Sequence, residues 1–388
     1  MKSILGNVGL FLISVAVSVT AAELAARMFL DPVDYIKPSL VADAFLNHRV
    51  VGNTGGHDAW GFRNREVPSG TDIVCIGDSM TYGVAARARD SWPAALARML
   101  GEKTYNMALG GYGPIQYLYL MRTRAVELHP KIVIVGLYLG NDLMDAINMV
   151  ESHKNWSAYK TRDFSDLPPQ MVYPRTAGKF LGDLRNWLSR KSVLYVLVTQ
   201  LPLFNFVRDR EIPDGYEDSD TRIEYHDANH HEVFYLNSHL RLLDLTDPRI
   251  KAGLEITEHA MIDMSNDAKR NAIRLIVALI PTKGRVYENV LHHTEHLTAT
   301  PADRGKDVLA NALRDEDTVR EAITSFLRQQ QIEVVDPLPA LTLEVANQDL
   351  YPVTEGHPNS TGYRVIAASI ARYLDAAHAE KDVRSPAG

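Results

Sequence analysis

Five short apolar runs, rich in β-branched residues, punctuate the chain: Ile73–Ile76, Thr104–Leu109, Lys131–Leu139, Ala272–Ile280 and Ile332–Asp336. Each is closed by Gly or Pro, and each predicts a strand. Their near-continuous apolarity is the pattern of parallel strands covered on both faces. Between them, apolar residues at helical spacing predict helices over Arg87–Leu100 (Trp92, Leu96, Met99, Leu100), Pro114–Leu128, Glu258–Lys269, Asp315–Gln330 and Tyr363–Ala377. Pro114 is placed to open its helix, and Asn359 or Ser360 to cap the last one. Strand and helix in alternation predict an α/β fold: a doubly wound parallel sheet of about five strands with helices on both faces.

Three stretches stand outside this rhythm. Ile4–Ala22 carries no charge over 19 residues, just enough to cross a bilayer core. Thr20-Ala21-Ala22 also suits a signal peptidase, but Leu24–Leu30 continues the apolar helical pattern past that point. Residues 1–30 are therefore read as an uncleaved signal anchor, with secretion after cleavage as the alternative. Lys2 is the one basic residue before the run, so placing the N-terminus in the cytoplasm rests on expected export more than on charge. Residues 31–70 read as a linker, and Trp60 and Phe62 predict that it packs on the main domain. That domain spans 71–378 and is followed by a tail, 379–388. It is interrupted by an insertion at about 151–255, containing Pro168, Pro169, Pro202 and Pro213. Within the insertion, Phe180–Val198 predicts one amphipathic helix with Leu181, Leu184, Trp187, Leu188 and Val193 on one side. The insertion is expected to cover one side of the site.

Of 388 residues, 46% are hydrophobic and 23% charged, the balance of a folded globular chain. This length allows one large domain with insertions or two smaller ones. A net charge of −7 leaves no basic surplus for nucleic acid. Cys75 is the single cysteine, which rules out an internal disulfide and a cysteine–zinc cluster. It reads as a small buried hydrophobe and is compatible with cytoplasm or periplasm. His226, His230 and His231 lie near Asp227 and Glu232, but lack helical metal-ligand spacing and read as a polar loop. The same holds for His292, His293 and His296.

Three glycine-containing breaks follow three of the strands, at Ser79, Gly111 and Asn141, and His357 precedes the last helix. In a parallel sheet all four fall on the carboxyl-end edge. Ser79 alone reads equally well as a helix cap, and Thr81 excludes the G-x-S-x-G elbow. Together, however, the four supply a nucleophile, a base within reach, and oxyanion donors from the N–H of Ser79, the N–H of Gly111 and the Asn141 amide. Asp78 and Asp142 are expected to hold the loops through backbone N–H groups. Met80, Tyr82 and Tyr112 suit an acyl pocket or the core equally, and Lys283 is given no role.

Gly77-Asp78-Ser79, Gly111, Gly140-Asn141-Asp142 and His357 resemble the four motif blocks of the SGNH (GDSL-like) hydrolase superfamily, in the same order. The resemblance covers about Trp60–Asn148 and Ala272–Ala377, and the anchor is similar to that of membrane-bound bacterial members. The third block lacks its usual intervening residue, although Gly136 stands nearby. The fourth departs further: Thr354 stands where aspartate is usual. Glu355 is the nearest carboxylate and is read as the third triad member, with a backbone carbonyl or Asp336 as alternatives.

The resemblance implies a flavodoxin-like sheet and a serine esterase that removes acetyl or other short acyl groups from a carbohydrate or exopolysaccharide. It implies no metal or cofactor, single-pass insertion in the bacterial inner membrane, and a catalytic domain in the periplasm or exterior. The same residues would serve an O-acyltransferase to a glycan hydroxyl or a lipid or thioester hydrolase. A non-catalytic anchored scaffold or polysaccharide-binding protein is the alternative from another class.

Overall fold

The structure is a computed structural model and describes residues 2–164, 180–201, 222–227, 230–235, 243–291, 296–300 and 305–384. Pro168, Pro169, Pro202, Pro213, His292, His293 and the side chain of Leu181 lie outside the described residues.

Ten strands occur among the described residues: β1 (Leu40–Asp43), β2 (Asn47–Val50), β3 (Ile73–Gly77), β4 (Thr104–Ala108), β5 (Ile132–Tyr138), β6 (Arg222–His226), β7 (His231–Tyr235), β8 (Arg274–Ile280), β9 (Leu297–Thr300) and β10 (Glu333–Val335). Five of them form one parallel sheet in the order β10-β8-β5-β3-β4. Counted along the chain this is the 2-1-3-4-5 order of flavodoxin-like folds, whose switch point lies between the first and third strands, here β3 and β5. All five strands expected from the apolar runs are present.

Side chains alternate across the sheet and build two cores. Val74, Ile76, Val133, Val135, Leu275 and Val277 pack with the helices Pro114–Leu120, Asp142–Ser152 and Pro248–Arg270. Ile73, Cys75, Ile134, Ile276 and Ala278 pack on the other face with Trp92–Leu100 and Ser360–Arg384. Burial pushes the Cys75 thiol pKa up, which keeps it a neutral hydrophobe.

Several boundaries differ from expectation for local reasons. The α-helix expected from Arg87 begins at Trp92, because Pro93 favours the first helical turn; Ala88–Asp90 is a separate 3-10 turn. The helix expected from Glu258 begins ten residues earlier, at Pro248, where Asp247 accepts from the Arg249 N–H at 2.8 Å. Phe180–Val198 is two helices, Phe180–Ser189 and Val193–Thr199, because Ser192 turns inward to cap Tyr195 N–H at 3.0 Å. Leu184 and Trp187, on the apolar side of the expected helix, are exposed. His226 and His231, read as part of a polar loop, are instead paired strand residues that end β6 and open β7, a hairpin joined by β9 in a three-stranded antiparallel sheet. The last helix runs to Arg384, through most of the expected tail.

Residues 31–70 pack on the outer strand β4 and on the loops that follow β3 and β4. Arg63 donates to Gly83 O at 2.6 Å and pairs with Asp34 at 2.8 Å, both side chains buried. Tyr105 donates to Asp58 at 2.6 Å, and His57 meets the Tyr82 hydroxyl at 2.9 Å. The N-terminal helix Lys2–Phe29 contains a span, Gly6–Phe29, long and apolar enough to cross a membrane, with none of it buried in the protein.

Candidate active site

Ser79 stands where β3 ends and opens the short helix Ser79–Tyr82. The turn is tight because Gly77 and Gly136, partners in the β3–β5 register, both leave room for Thr81. A Cβ at either glycine would fall 2.1 or 2.3 Å from Thr81 Oγ1. Asp78 is fully buried and caps this helix, accepting from the Met80 N–H at 2.9 Å. Burial raises its pKa to about 6 against that hydrogen bond.

The Ser79 Oγ lies 2.8 Å from His357 Nε2, and His357 Nδ1 lies 2.6 Å from Glu355 Oε1. A carboxylate at Nδ1 accepts from the Nδ1–H and so keeps the proton on Nδ1, leaving the Nε2 lone pair to accept from the Ser79 hydroxyl. The same Glu355 oxygen accepts from the N–H of Gly356 at 2.9 Å and of His357 at 3.3 Å. Burial works to raise the Glu355 pKa, but the His357 hydrogen bond and the two backbone donors outweigh it and hold the carboxyl below its usual range. Asp336, the other carboxylate considered, is elsewhere, paired with Arg320 at 3.0 Å.

The loop after β4 passes close to the serine: a Cβ on Gly110 would lie 3.6 Å from Ser79 Cβ. Gly111 follows at φ +77°, a conformation that favours glycine, and is exposed. Asn141 follows β5 at the N-cap of Asp142–Ser152, yet its side chain makes no capping bond. Its Oδ1 is buried without a hydrogen-bond partner. Asp142 ties this turn to the sheet, accepting from Tyr138 N–H at 2.8 Å and the Tyr117 hydroxyl at 2.9 Å. Burial pushes its carboxyl well up. Asp145, one turn on, has a buried Oδ2 without a partner and a pKa raised to about 8 by burial, then by the Asp78 charge. Met80 and Tyr112 are buried in the two cores, and Tyr82 is half-buried against His57.

Two residues without an expected role adjoin the site. His48, on β2, has Nε2 3.0 Å from Gly110 O, and its backbone carbonyl accepts from the Tyr112 hydroxyl at 2.9 Å. Lys283, which opens the short helix Lys283–Val286 after β8, is buried under the loop that carries Glu355 and His357. Its ammonium donates to Val353 O at 2.7 Å and Pro352 O at 3.0 Å, and pairs with buried Glu232 at 2.5 Å. Burial lowers the Lys283 pKa. Lys283→Met would strand the Glu232 carboxylate, and loss of one partner of a buried pair costs about 3–5 kcal/mol. We expect that loss in urea denaturation. Lys283→Met with Glu232→Gln is expected to recover most of the stability. It is not expected to recover turnover, because the Pro352 and Val353 carbonyls still lack their donor.

Among the described residues, no group of three or more His, Cys, Asp or Glu side chains is arranged to hold a metal ion. His231 instead meets Glu224 at 2.8 Å, and His230 accompanies Asp227.

No protein-family profile matches the chain, and no curated protein does. Solved structures similar to it include a lipolytic protein of the G-D-S-L family from Desulfitobacterium hafniense, at 15% identity over 78% of this chain and 98% of that one, with a TM-score of 0.38. A GDSL-like lipase from Bacteroides thetaiotaomicron is similar at 12% identity over 79% and 88%, with a TM-score of 0.36. An acetylxylan esterase from Geobacillus stearothermophilus, crystallised as a catalytic mutant, is similar at 10% identity over 79% and 94%, with a TM-score of 0.37.

Proposed function

We propose that this protein is a serine ester hydrolase of the SGNH type. The observation that carries the reading is the continuous chain from Ser79 Oγ through His357 to Glu355, at 2.8 and 2.6 Å. Ser79 Oγ attacks the ester carbonyl as its proton passes to His357 Nε2. Glu355 stabilises the imidazolium so formed. The negative charge on the carbonyl oxygen is held by the N–H of Ser79, the N–H of Gly111 and the Asn141 side-chain amide. Collapse breaks the ester C–O bond, and His357 returns its proton to the leaving alcohol. Water activated by the same histidine then releases the acid from the acyl-enzyme.

We read the substrate as a short acyl ester, foremost an acetyl group on a carbohydrate. The exposed Gly111 edge and the burial of Met80 and Tyr112 within the cores favour a small acyl group over a long chain. The N-terminal helix is read as an uncleaved anchor, with the catalytic domain on the non-cytoplasmic side of a bacterial inner membrane.

Labelling with a fluorophosphonate probe tests the nucleophile, and the expected adduct maps to Ser79. Acetate release from acetylated oligosaccharides, with and without a free sugar acceptor, tests the reaction. Acetate release unaffected by the acceptor supports hydrolysis. Transfer to the sugar would make the protein an acyltransferase, and an unlabelled Ser79 in folded protein would sink the enzyme reading.

His48 completes this site as a positioning residue. The Gly110 carbonyl and the Gly111 N–H belong to one planar trans peptide and point in opposite directions. A donor on the carbonyl therefore fixes the direction of the N–H and strengthens it as a donor. Burial lowers the His48 pKa, so the neutral ring donates from Nε2 to that carbonyl. Outright loss of an oxyanion donor costs about a hundred- to a thousand-fold. His48→Ala, which only releases the peptide, is expected to cost about tenfold in kcat with KM unchanged. His48→Gln, which keeps an N–H donor, is expected to recover most of it; a change confined to KM would instead make His48 a substrate contact.

A further inference from the structure

The surface beside the N-terminal helix takes no part in the chemistry above, and its composition is unusual for a face in water. The last turns of Lys2–Phe29 are joined to the helix pair of the insertion. Glu23 accepts from the N–H groups of Val193 and Leu194 at 3.0 and 2.9 Å and from the Ser192 hydroxyl at 2.8 Å. Arg27 donates to Lys191 O at 2.5 Å. A carboxylate of the membrane-length helix thus caps the helix Val193–Thr199, satisfying N–H groups that its own first turn leaves open.

That second helix reads Val-Leu-Tyr-Val-Leu-Val-Thr and is apolar on nearly every side, yet only Val193 is buried; Leu194–Thr199 are half-exposed. A helix of this kind belongs in a core or in lipid. Its neighbour Phe180–Ser189 presents Leu184 and Trp187 three residues apart on one face, 49% and 57% exposed. Leu201, Met28 and Phe29 are exposed as well. Exposed Arg190 and Lys191 stand between the two helices. Tryptophan and leucine on one face, beside basic residues, are the composition of a helix lying in a membrane interface.

We propose that the helices Phe180–Ser189 and Val193–Thr199 form a foot that rests in the lipid interface. Leu184 and Trp187 enter the headgroup–acyl boundary, and Arg190 and Lys191 meet anionic lipid headgroups. The occupant is lipid because the patch is continuous with the one helix of membrane-crossing length among the described residues, and is bonded to that helix at Glu23 and Arg27. The proposal rests on the reading of that helix as an uncleaved anchor and is independent of the ester chemistry. Its consequence is that the catalytic domain is held at a fixed height and tilt on the bilayer, instead of swinging on a tether. The amide of Lys37, donating to Ser189 O at 3.1 Å, ties the start of the linker to the same foot.

The chain has four tryptophans, of which Trp92 and Trp156 are buried and Trp60 is half-buried, so Trp187 is the exposed one. The full chain and its Trp187→Phe variant are reconstituted in phosphatidylcholine–phosphatidylglycerol vesicles carrying acyl chains brominated near the headgroup. Bromolipid is expected to quench an emission component that Trp187→Phe lacks, and aqueous iodide is expected to leave that component unquenched. Quenching of Trp187 by iodide but not bromolipid would place the patch in water and overturn the proposal. Shielding from both quenchers would place a protein partner on it and overturn it equally. Vesicle flotation reports the anchor separately, and ester hydrolysis by the same samples reports the catalytic site.

Discussion

Ser79→Ala is expected to lower kcat for p-nitrophenyl acetate by about a million-fold, His357→Ala by about as much, and the double variant by no more than either alone. This non-additivity follows from the geometry. In the proposed mechanism the hydroxyl is a nucleophile only while His357 Nε2, 2.8 Å away, accepts its proton, so removing either group disables the same step. Two groups that merely contact substrate would give losses that multiply. The residual rate of the double variant, measured against the uncatalysed reaction, isolates what the oxyanion donors contribute on their own. The Ser79→Ala protein should remain folded, because the hydroxyl's other bond is a 3.3 Å contact to Asp78 and the cap to Met80 N–H is untouched. Losses that multiply, or turnover retained in Ser79→Ala, would remove the serine from the mechanism.

The sheet was legible because parallel strands covered on both faces carry apolar side chains in both directions, so β3, β5 and β8 read as unbroken runs. Ser79 and His357 were legible because the carboxyl edge of such a sheet is a topological place, reached from strand ends alone. The helix start at Pro248 was hidden because its first turns carry charges among Ile250, Ala252, Gly253 and Ile256. Gly253, which lets the helix approach Leu143 O, is a weak helix former. The β6–β7 hairpin was hidden because buried Glu232 breaks its apolar alternation, and its partner Lys283 comes from the short helix after β8. The roles of His48 and Lys283 were hidden for one reason. Each acts on a backbone carbonyl 62 or more residues away, and a bond of that kind leaves no local pattern. Leu184 and Trp187 had a clear helical pattern, but no pattern states whether the apolar face meets protein or lipid.

Glu355→Gln is expected to lower kcat by between about a hundredfold and about ten-thousand-fold. The lower bound is the loss of a hydrogen bond to a charged group, worth up to about 3 kcal/mol, as the imidazolium forms. The upper bound is the cost of the wrong histidine tautomer, reached if the amide presents its NH2 group to Nδ1. The backbone decides between them. Glu355 Oε1 accepts from the N–H groups of Gly356 and His357 as well as from Nδ1, so the amide oxygen should occupy that position and keep the tautomer. The loss should therefore lie nearer the lower bound. A slower enzyme with an unchanged KM for p-nitrophenyl acetate is the expected result, because the carboxylate touches the histidine and not the substrate. Wild-type turnover would mean that the imidazole is oriented by the backbone alone and that Ser79 and His357 act as a dyad.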